Sequence, residues 1–328
     1  MSRIVVANDQ SIAEAAELLK AGALVVLPTE TVYGLGANAL DGRAVARIFE
    51  AKNRPQFNPL IVHVKDVEAA AEFVVMDERA KKIAEVFWPG PLTLILPRQE
   101  GSAISDLVSA GLDTLAVRVP SHKVMRQVMI QAGVPIAAPS ANASGEPSAT
   151  TPKHVAESLG DRIDFILAAG ACEVGLESTV LDLSGDVPVI LRPGAITPED
   201  LQPYLGIVDI DFGTHEKPKS PGQLLKHYAP SIPVRLNAVD VKKGEALLAF
   251  GSIKFMGVEG GGFAKDLPEE RLKNLSEDGD LHEAASHLFM MLRELDQPEH
   301  KAIAVMNIPN TGLGVAINDR LKRAAQQG

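Results

Sequence analysis

Ala23-Leu24-Val25-Val26-Leu27-Pro28-Thr29-Glu30-Thr31-Val32-Tyr33-Gly34-Leu35-Gly36 passes abruptly from an unbroken apolar run to a polar run bearing two glycines. An apolar run without alternation is the pattern of a strand buried on both faces, as in the middle of an α/β sheet. Pro28 ends it, because proline has no N–H to give to a sheet ladder. Loops that follow such strands are where open α/β sheets place their ligands. Thr29 and Thr31 offer hydroxyls there, and Gly34 and Gly36 would let a ligand come close to the backbone. A tight turn closed by its own hydrogen bonds uses the same residue types. The stretch alone leaves both readings open.

Working outward, Ser11-Ile12-Ala13-Glu14 has the form of a capping box and predicts a helix start. Ile12, Ala15, Ala16 and Leu19 would form its buried face, and Gly22 would end it. Further apolar runs predict strands at 60–64, 92–96, 115–119, 136–138, 165–167, 180–183 and 189–191. Helical patterns fall at 41–52, 66–74, 77–86, 121–132 and 152–159. Strands interleaved with helices imply one α/β domain with a large, twisted, mixed sheet, spanning residues 1–212. Residues 213–231 break the rhythm: Gly213, Pro218, Pro221, Gly222 and Pro230 crowd there with Lys217, Lys219 and Lys226, as in a linker. Residues 232–328 then read as a small α/β domain. Its strands are expected at 234–236, 246–250 and 302–306. One helix is capped by Asp280 and carries Leu281, Ala284, Ala285, Leu288, Leu292 and Leu295 on one face, and a last helix covers 316–325.

Composition narrows the function classes. The chain has 328 residues, 46% of them hydrophobic and 23% charged, which suits a soluble globular protein of more than one domain. A net charge of −10 gives no long-range attraction for nucleic-acid phosphates, so any basic site must be local. The single cysteine, Cys172, lies in an apolar stretch that predicts a buried thiol, and it excludes an intrachain disulfide. The N-terminus has no signal-peptide run, and no segment reaches the ~18 apolar residues of a membrane span. A cytoplasmic protein is expected. The histidines show no metal-ligand spacing, His282 and His287 read as surface residues, and no metal ligands are assigned.

Four places carry chemistry besides the opening stretch. Lys52-Asn53-Arg54-Pro55 closes a helix. Its two cations suit either the helix dipole or a clamp on a polyphosphate. Pro139-Ser140-Ala141-Asn142-Ala143-Ser144-Gly145 is small and polar immediately after a strand, like a loop wrapped on a nucleotide or like any loop. Arg118 interrupts the apolar run Leu115-Ala116-Val117-Arg118-Val119, so it points to solvent or is buried with an anion, such as a substrate carboxylate. Arg192 repeats that pattern after Val189-Ile190-Leu191.

Taken together, PTETVYGLG (28–36), KNRP (52–55), NPLIVHV (58–64), WPGPLTLIL (88–96), AGLDTLAVRVP (110–120), GVPIAAPSAN (133–142), ESTVLD (177–182) and LRPG (191–194) resemble the YrdC-type threonylcarbamoyl-AMP synthases. The domain plan is similar to their longer form, in which a linker ending in His-Tyr-Ala-Pro, here His227-Tyr228-Ala229-Pro230, precedes a small Rossmann-like domain. Just before it, Pro221-Gly222-Gln223-Leu224-Leu225-Lys226 departs from the aromatic and basic pattern usual in the family. The resemblance implies a catalytic domain with a concave cavity, and conversion of L-threonine, bicarbonate or CO2 and ATP into L-threonylcarbamoyl-AMP and pyrophosphate. It also implies transfer to tRNA by a separate threonylcarbamoyl transferase complex, without requiring direct tRNA contact.

By motif position, the resemblance assigns Thr29, His63, Arg118, Ala138 and Ser178 to the threonine site. It assigns Arg54, Asn58, Thr114, Ser140, Ser148, Arg192 and Tyr228 to the nucleotide. Lys52, Arg54, Ser140 and Asn142 form its lysine-arginine and serine-asparagine constellation. The linker is expected to lie across the cavity with Tyr228 on the nucleotide, and Mg2+ to be held by ATP phosphates and water. Two other readings use the same residues: an RNA-binding protein, disfavoured by the charge and by the 4% aromatic content, and a carbamoyl transferase for another small substrate.

Overall fold

The computed structural model describes residues 3–213, 218, 220 and 227–326. The linker residues Lys217, Lys219, Lys226 and the rest of 221–226 lie outside them. The chain divides into two compact units. The first gathers Met1–Ser144, Ala149–Glu173 and Glu177–Leu224, the second Gly145–Ser148, Val174–Leu176 and Leu225–Gly328.

In chain order the first unit carries β1 (Arg3–Val6), α1 (Asp9–Lys20), β2 (Val25–Leu27), β3 (Gly34–Asn38), α2 (Gly42–Lys52) and β4 (Ile61–His63). Next come α3 (Val67–Ala71), α4 (Glu78–Phe87), β5 (Leu92–Pro97), α5 (Asp106–Ser109), β6 (Thr114–Arg118) and α6 (Lys123–Ala132). It ends with β7 (Ile136–Ala137), α7 (Pro152–Leu159), β8 (Phe165–Ala168), β9 (Thr179–Asp182), β10 (Val189–Arg192), α8 (Pro198–Leu205) and β11 (Asp209–Ile210). The strands form one 11-stranded mixed sheet in the order β1-β8-β2-β3-β7-β4-β6-β5-β9-β10-β11. Alternation along β2 shows why its sequence is apolar throughout. Val25 and Leu27 enter a core with Ile12, Ala15, Ala16 and Leu19 of α1 and Met125, Val128 and Met129 of α6. Leu24 and Val26 enter the other core, with Val45 and Ile48 of α2.

The structure refines two local expectations. The capping box of α1 begins one turn earlier: the Asn8 side chain accepts from the Ser11 amide at 2.9 Å, and Ser11 Oγ accepts from the Asn8 amide at 2.9 Å. Asn8 has the extended backbone a cap requires, and Ser11 is the box's inner partner. Gly34, Leu35 and Gly36, expected in a loop, begin β3, which pairs antiparallel with β2 and β7. A Cβ on Gly36 would lie 3.0 Å from Ile136 Cγ2 and 3.1 Å from both Leu27 Cδ1 and Val25 O. The glycine there answers to neighbouring protein atoms, not to a ligand.

The second unit contains β12 (Val234–Arg235), β13 (Asp240–Val241), β14 (Glu245–Ala249), β15 (Gly257–Val258), β16 (Leu272–Asn274), α9 (Leu281–Leu295), β17 (Ala302–Val305) and α10 (Leu313–Ala324). An all-parallel sheet β12-β17-β14-β16 makes it a small α/β fold, with β13 and β15 paired separately. Asp280 caps α9 as expected, accepting from the His282 and Glu283 amides. The Tyr228 ring stacks on Phe289 of α9 with centroids 5.4 Å apart, and the Arg320 guanidinium of α10 lies 5.5 Å from its centre. His282 is exposed, whereas His287 is half-buried with Nδ1 3.0 Å from the Leu275 carbonyl. Among the described residues no helix is long and apolar enough to cross a membrane.

Gly194, just past β10, has no room for a side chain: a Cβ would fall 2.4 Å from Thr179 N and 2.7 Å from Glu177 O. These backbone atoms belong to the start of β9 and cannot swing aside as a side chain can. Gly194→Ala should therefore lower stability by about 1–3 kcal/mol, the usual range for overpacking. Thermal or urea unfolding checks this, and an unchanged midpoint would contradict the packing account.

Candidate active site

Arg118 closes β6, next to His63 at the end of β4, and the parallel register pairs the two residues directly. Both are buried. The question the sequence left open is settled toward burial with an anion, and the anion belongs to the protein. Arg118 Nη2 donates to Glu30 Oε1 at 2.6 Å, Nη1 to Thr31 Oγ1 at 3.0 Å, and Nε to the Gly90 carbonyl at 3.1 Å. Three of the five guanidinium N–H groups are thereby used, leaving one on each terminal nitrogen.

Glu30 and Thr31 come from the loop after β2, which is held by Thr29. Its Oγ1 donates to the Val32 carbonyl at 2.6 Å and lies 2.8 Å from Thr31 Oγ1. Tyr33 ties the same loop to the end of β8, accepting from the Ala169 amide at 3.0 Å and donating to the Gly170 carbonyl at 2.7 Å. Burial pushes the Tyr33 hydroxyl up to about 12, so it remains a donor at neutral pH.

Burial opposes the charge on Glu30, but the Arg118 charge and hydrogen bond, with help from the Glu30 and Ser121 amides, hold its carboxyl below the usual range. His63 shifts the other way for a base. Burial first, then the Arg118 charge, lower it to about 3, so the imidazole is neutral. Its Nδ1 is buried and has no hydrogen-bond partner. Burial and the nearby Glu30 charge push the Cys172 thiol up to about 12, leaving it protonated and inert. The predicted burial of Cys172 is observed.

Ser178 and Arg192 form an adjoining group. Ser178 Oγ lies 2.8 Å from Thr93 Oγ1 of β5 and accepts from Arg192 Nη2 at 3.1 Å, while the Ser178 carbonyl accepts from Arg192 Nε at 3.1 Å. The second strand-ending arginine is thus buried too.

Lys52, Ser140 and Asn142 are brought together around one ammonium. Lys52 Nζ donates to the Ser140 carbonyl at 2.5 Å and to the Asn142 carbonyl. Arg54 donates to the Asn58 carbonyl at 3.2 Å and the Pro59 carbonyl at 2.9 Å. Asn58 is buried with neither polar atom of its amide hydrogen-bonded. Ser140 bridges to Gly34, and Ala138 packs where a Gly34 side chain would point.

Thr114 stands apart from Arg118. It opens β6 while Arg118 closes it, roughly 13 Å along the strand. Asn58 likewise precedes β4, which His63 ends. Ser148 and Tyr228 fall in the second unit. The sequence reading missed Glu30 and Thr93, and it noted the Thr31 hydroxyl without giving it a place in the site. A carboxylate inside a stretch otherwise lacking charge, directly after a buried strand, was the available signal for Glu30.

Two family models match the chain. The Sua5/YciO/YrdC model, described as "Telomere recombination", covers residues 17–194, and one described as "Threonylcarbamoyl-AMP synthase, C-terminal domain" covers 196–326. The threonylcarbamoyl-AMP synthase of Bacillus subtilis is 41% identical over 329 residues, covering 97% of this chain and 94% of its own. That of Pyrococcus abyssi is 40% identical over 322 residues, covering 95% and 93%. A crystal structure of P. abyssi Sua5 complexed with L-threonine superimposes with a TM-score of 0.87 at 35% identity, covering 99% of this chain and 97% of that one.

Neutral His63 has a measurable consequence. Its folded value of about 3 lies below the ordinary 6.5, so between these limits the unfolded chain takes up a proton that the folded one refuses. Its contribution to stability is full above pH 6.5 and is lost as pH falls, by about 2 kcal/mol at pH 5. Unfolding midpoints measured from pH 7 to 5 should fall in the wild type and fall less steeply in His63→Gln. Parallel slopes would show that His63 is not the group responsible.

Proposed function

Because the chain belongs to the Sua5/YrdC family of threonylcarbamoyl-AMP synthases, we propose that it acts in the cytoplasm to join L-threonine, bicarbonate or CO2 and ATP into L-threonylcarbamoyl-AMP, releasing pyrophosphate. The product is the activated intermediate for threonylcarbamoylation of adenosine in tRNA, completed by a separate transferase. The observation that carries the substrate assignment is Arg118, a buried guanidinium with one N–H left on each terminal nitrogen, set beside a neutral imidazole. That donor pair suits a carboxylate. His63 Nδ1 and the hydroxyls of Thr29 and Ser178 suit a small polar side chain, and Ala138 leaves room for a methyl group.

Lys52, Arg54, Asn58, Ser140, Asn142 and Arg192 are read as the nucleotide side, with Thr114 farther along β6. The distance along that strand fits a substrate as long as ATP, lying on a concave face. Ser148 and Tyr228 are assigned to the nucleotide on motif position alone. The donors gathered around Lys52, Arg54 and Asn58 suit phosphate oxygens rather than a cation, so a Mg2+ ion would ride on the phosphates and water.

In this reading the threonine amine bonds to the carbon of CO2, giving a carbamate and releasing a proton. A carbamate oxygen then bonds to the α-phosphorus as its bond to pyrophosphate breaks. No protein nucleophile is needed. The chain contributes orientation, and cationic and amide donors where charge develops on the departing pyrophosphate.

Purified protein should release pyrophosphate from ATP only when L-threonine and bicarbonate are both present. Arg118→Lys keeps the buried charge beside Glu30 but loses the fork, and should raise KM for threonine at least about tenfold. Release that ignores threonine would leave the nucleotide reading and overturn the substrate. Tyr228→Ala should weaken ATP binding measured by calorimetry, and unchanged affinity would remove Tyr228 from the nucleotide site.

A further inference from the structure

Glu30 has no part in the bond-making and bond-breaking steps of the reaction. Its side chain is 6% exposed, and only one of its two oxygens is engaged, Oε1 with Arg118. Oε2 is buried, and although the Glu30 and Ser121 amides lie near enough to favour the charge, neither reaches hydrogen-bonding geometry at this oxygen. A buried carboxylate oxygen without a donor is a costly arrangement in a fold that satisfies most such atoms. The orphan atom is separated from the Arg118 donors by a single carboxyl group, and those donors are themselves incompletely used.

We propose that Glu30 accepts the α-ammonium group of the amino-acid substrate, so that the Arg118–Glu30 ion pair is a template for a zwitterion. The inference rests on the substrate reading above. An α-amino acid carries its carboxylate and ammonium on one carbon. When the carboxylate takes the remaining N–H groups of Arg118, the ammonium comes alongside the carboxylate that Arg118 already holds. The two ion pairs then lie head to tail, each charge next to its opposite. The orphan Oε2 gains the donor it lacks.

Glu30 serves here as an acceptor and not as the base that frees the amine. A carboxylate kept below the usual range by Arg118 has little affinity for a proton. Before the nitrogen bonds to CO2 the ammonium gives one proton to water, and a second leaves as the carbamate forms; the carbamate still carries one N–H, so the contact can persist into the next step. The same pairing discriminates: a hydroxy acid or simple carboxylic acid satisfies Arg118 but leaves Oε2 without a partner.

The test compares L-threonine with 3-hydroxybutyrate, which is threonine without its amine, by calorimetric titration of the full chain. The wild type should bind L-threonine at least about 30-fold more tightly, the lower end of the range for truncating one partner of a buried charged pair. In Glu30→Gln that preference should collapse, because L-threonine weakens while 3-hydroxybutyrate does not. Glu30→Asp should restore part of it. A role confined to holding Arg118 would weaken both ligands equally, and that outcome overturns the proposal. So does a wild type that binds the two alike, a result needing no variant. Failure of the wild type to bind L-threonine at all, with ATP still bound, would instead reject the substrate reading.

Discussion

The buried ion pair between Arg118 and Glu30 is a constraint to which the polar loop after β2 and the residues around it must conform. Each partner is nearly excluded from water, and neither charge could remain there alone without a penalty of several kcal/mol. The pair therefore fixes the loop between β2 and β3 against the end of β6, strands that are not neighbours in the sheet. Other features follow from holding that loop still. Thr29 closes it from within, and Tyr33 anchors it to the end of β8. His63, beside Arg118, is kept neutral by the same burial and by the same positive charge.

The alternation of strands and helices was legible because hydrophobic periodicity is local, and most strands lie within a residue or two of their expected positions. β3 was hidden because Gly34-Leu35-Gly36 lacks the branched and aromatic residues that mark strands. Those glycines are demanded by neighbours far away in sequence, Ile136 above all. The capping box was misplaced for a milder reason. Ser11 belongs to such a box, but the sequence cannot show which of its two residues has extended backbone. The interleaving of 145–148 and 174–176 with the second unit is likewise invisible in the sequence, since it depends on three-dimensional packing.

The site divides along the same line. Lys52, Ser140 and Asn142 were expected together and are together, joined by an ammonium that two backbone carbonyls accept. Sequence could propose that grouping but not its form, because carbonyl contacts leave no trace in residue identity. Arg118 was recognisable as a charge inside an apolar run, which poses a question of burial that any reader can see. Glu30 sits among threonines in a polar stretch, where a carboxylate looks unremarkable until its partner is found.

Arg118 and Arg192 show how far one sequence pattern can stand for different physics. Both end apolar strands and both are buried, yet Arg118 is held by a carboxylate and a hydroxyl, while Arg192 is gripped by the carbonyl and hydroxyl of Ser178. A guanidinium neutralised by a carboxylate is poorly suited to stabilise a highly charged polyphosphate, because much of its field is already spent locally. It is well suited to a zwitterion, which brings both signs of charge and leaves the net balance of the site unchanged. Ser178 meets Arg192 through uncharged oxygens, a carbonyl and a hydroxyl, where Glu30 meets Arg118 with a full charge. One sequence pattern, an arginine ending an apolar strand, thus stands for two different kinds of grip that only the fold distinguishes.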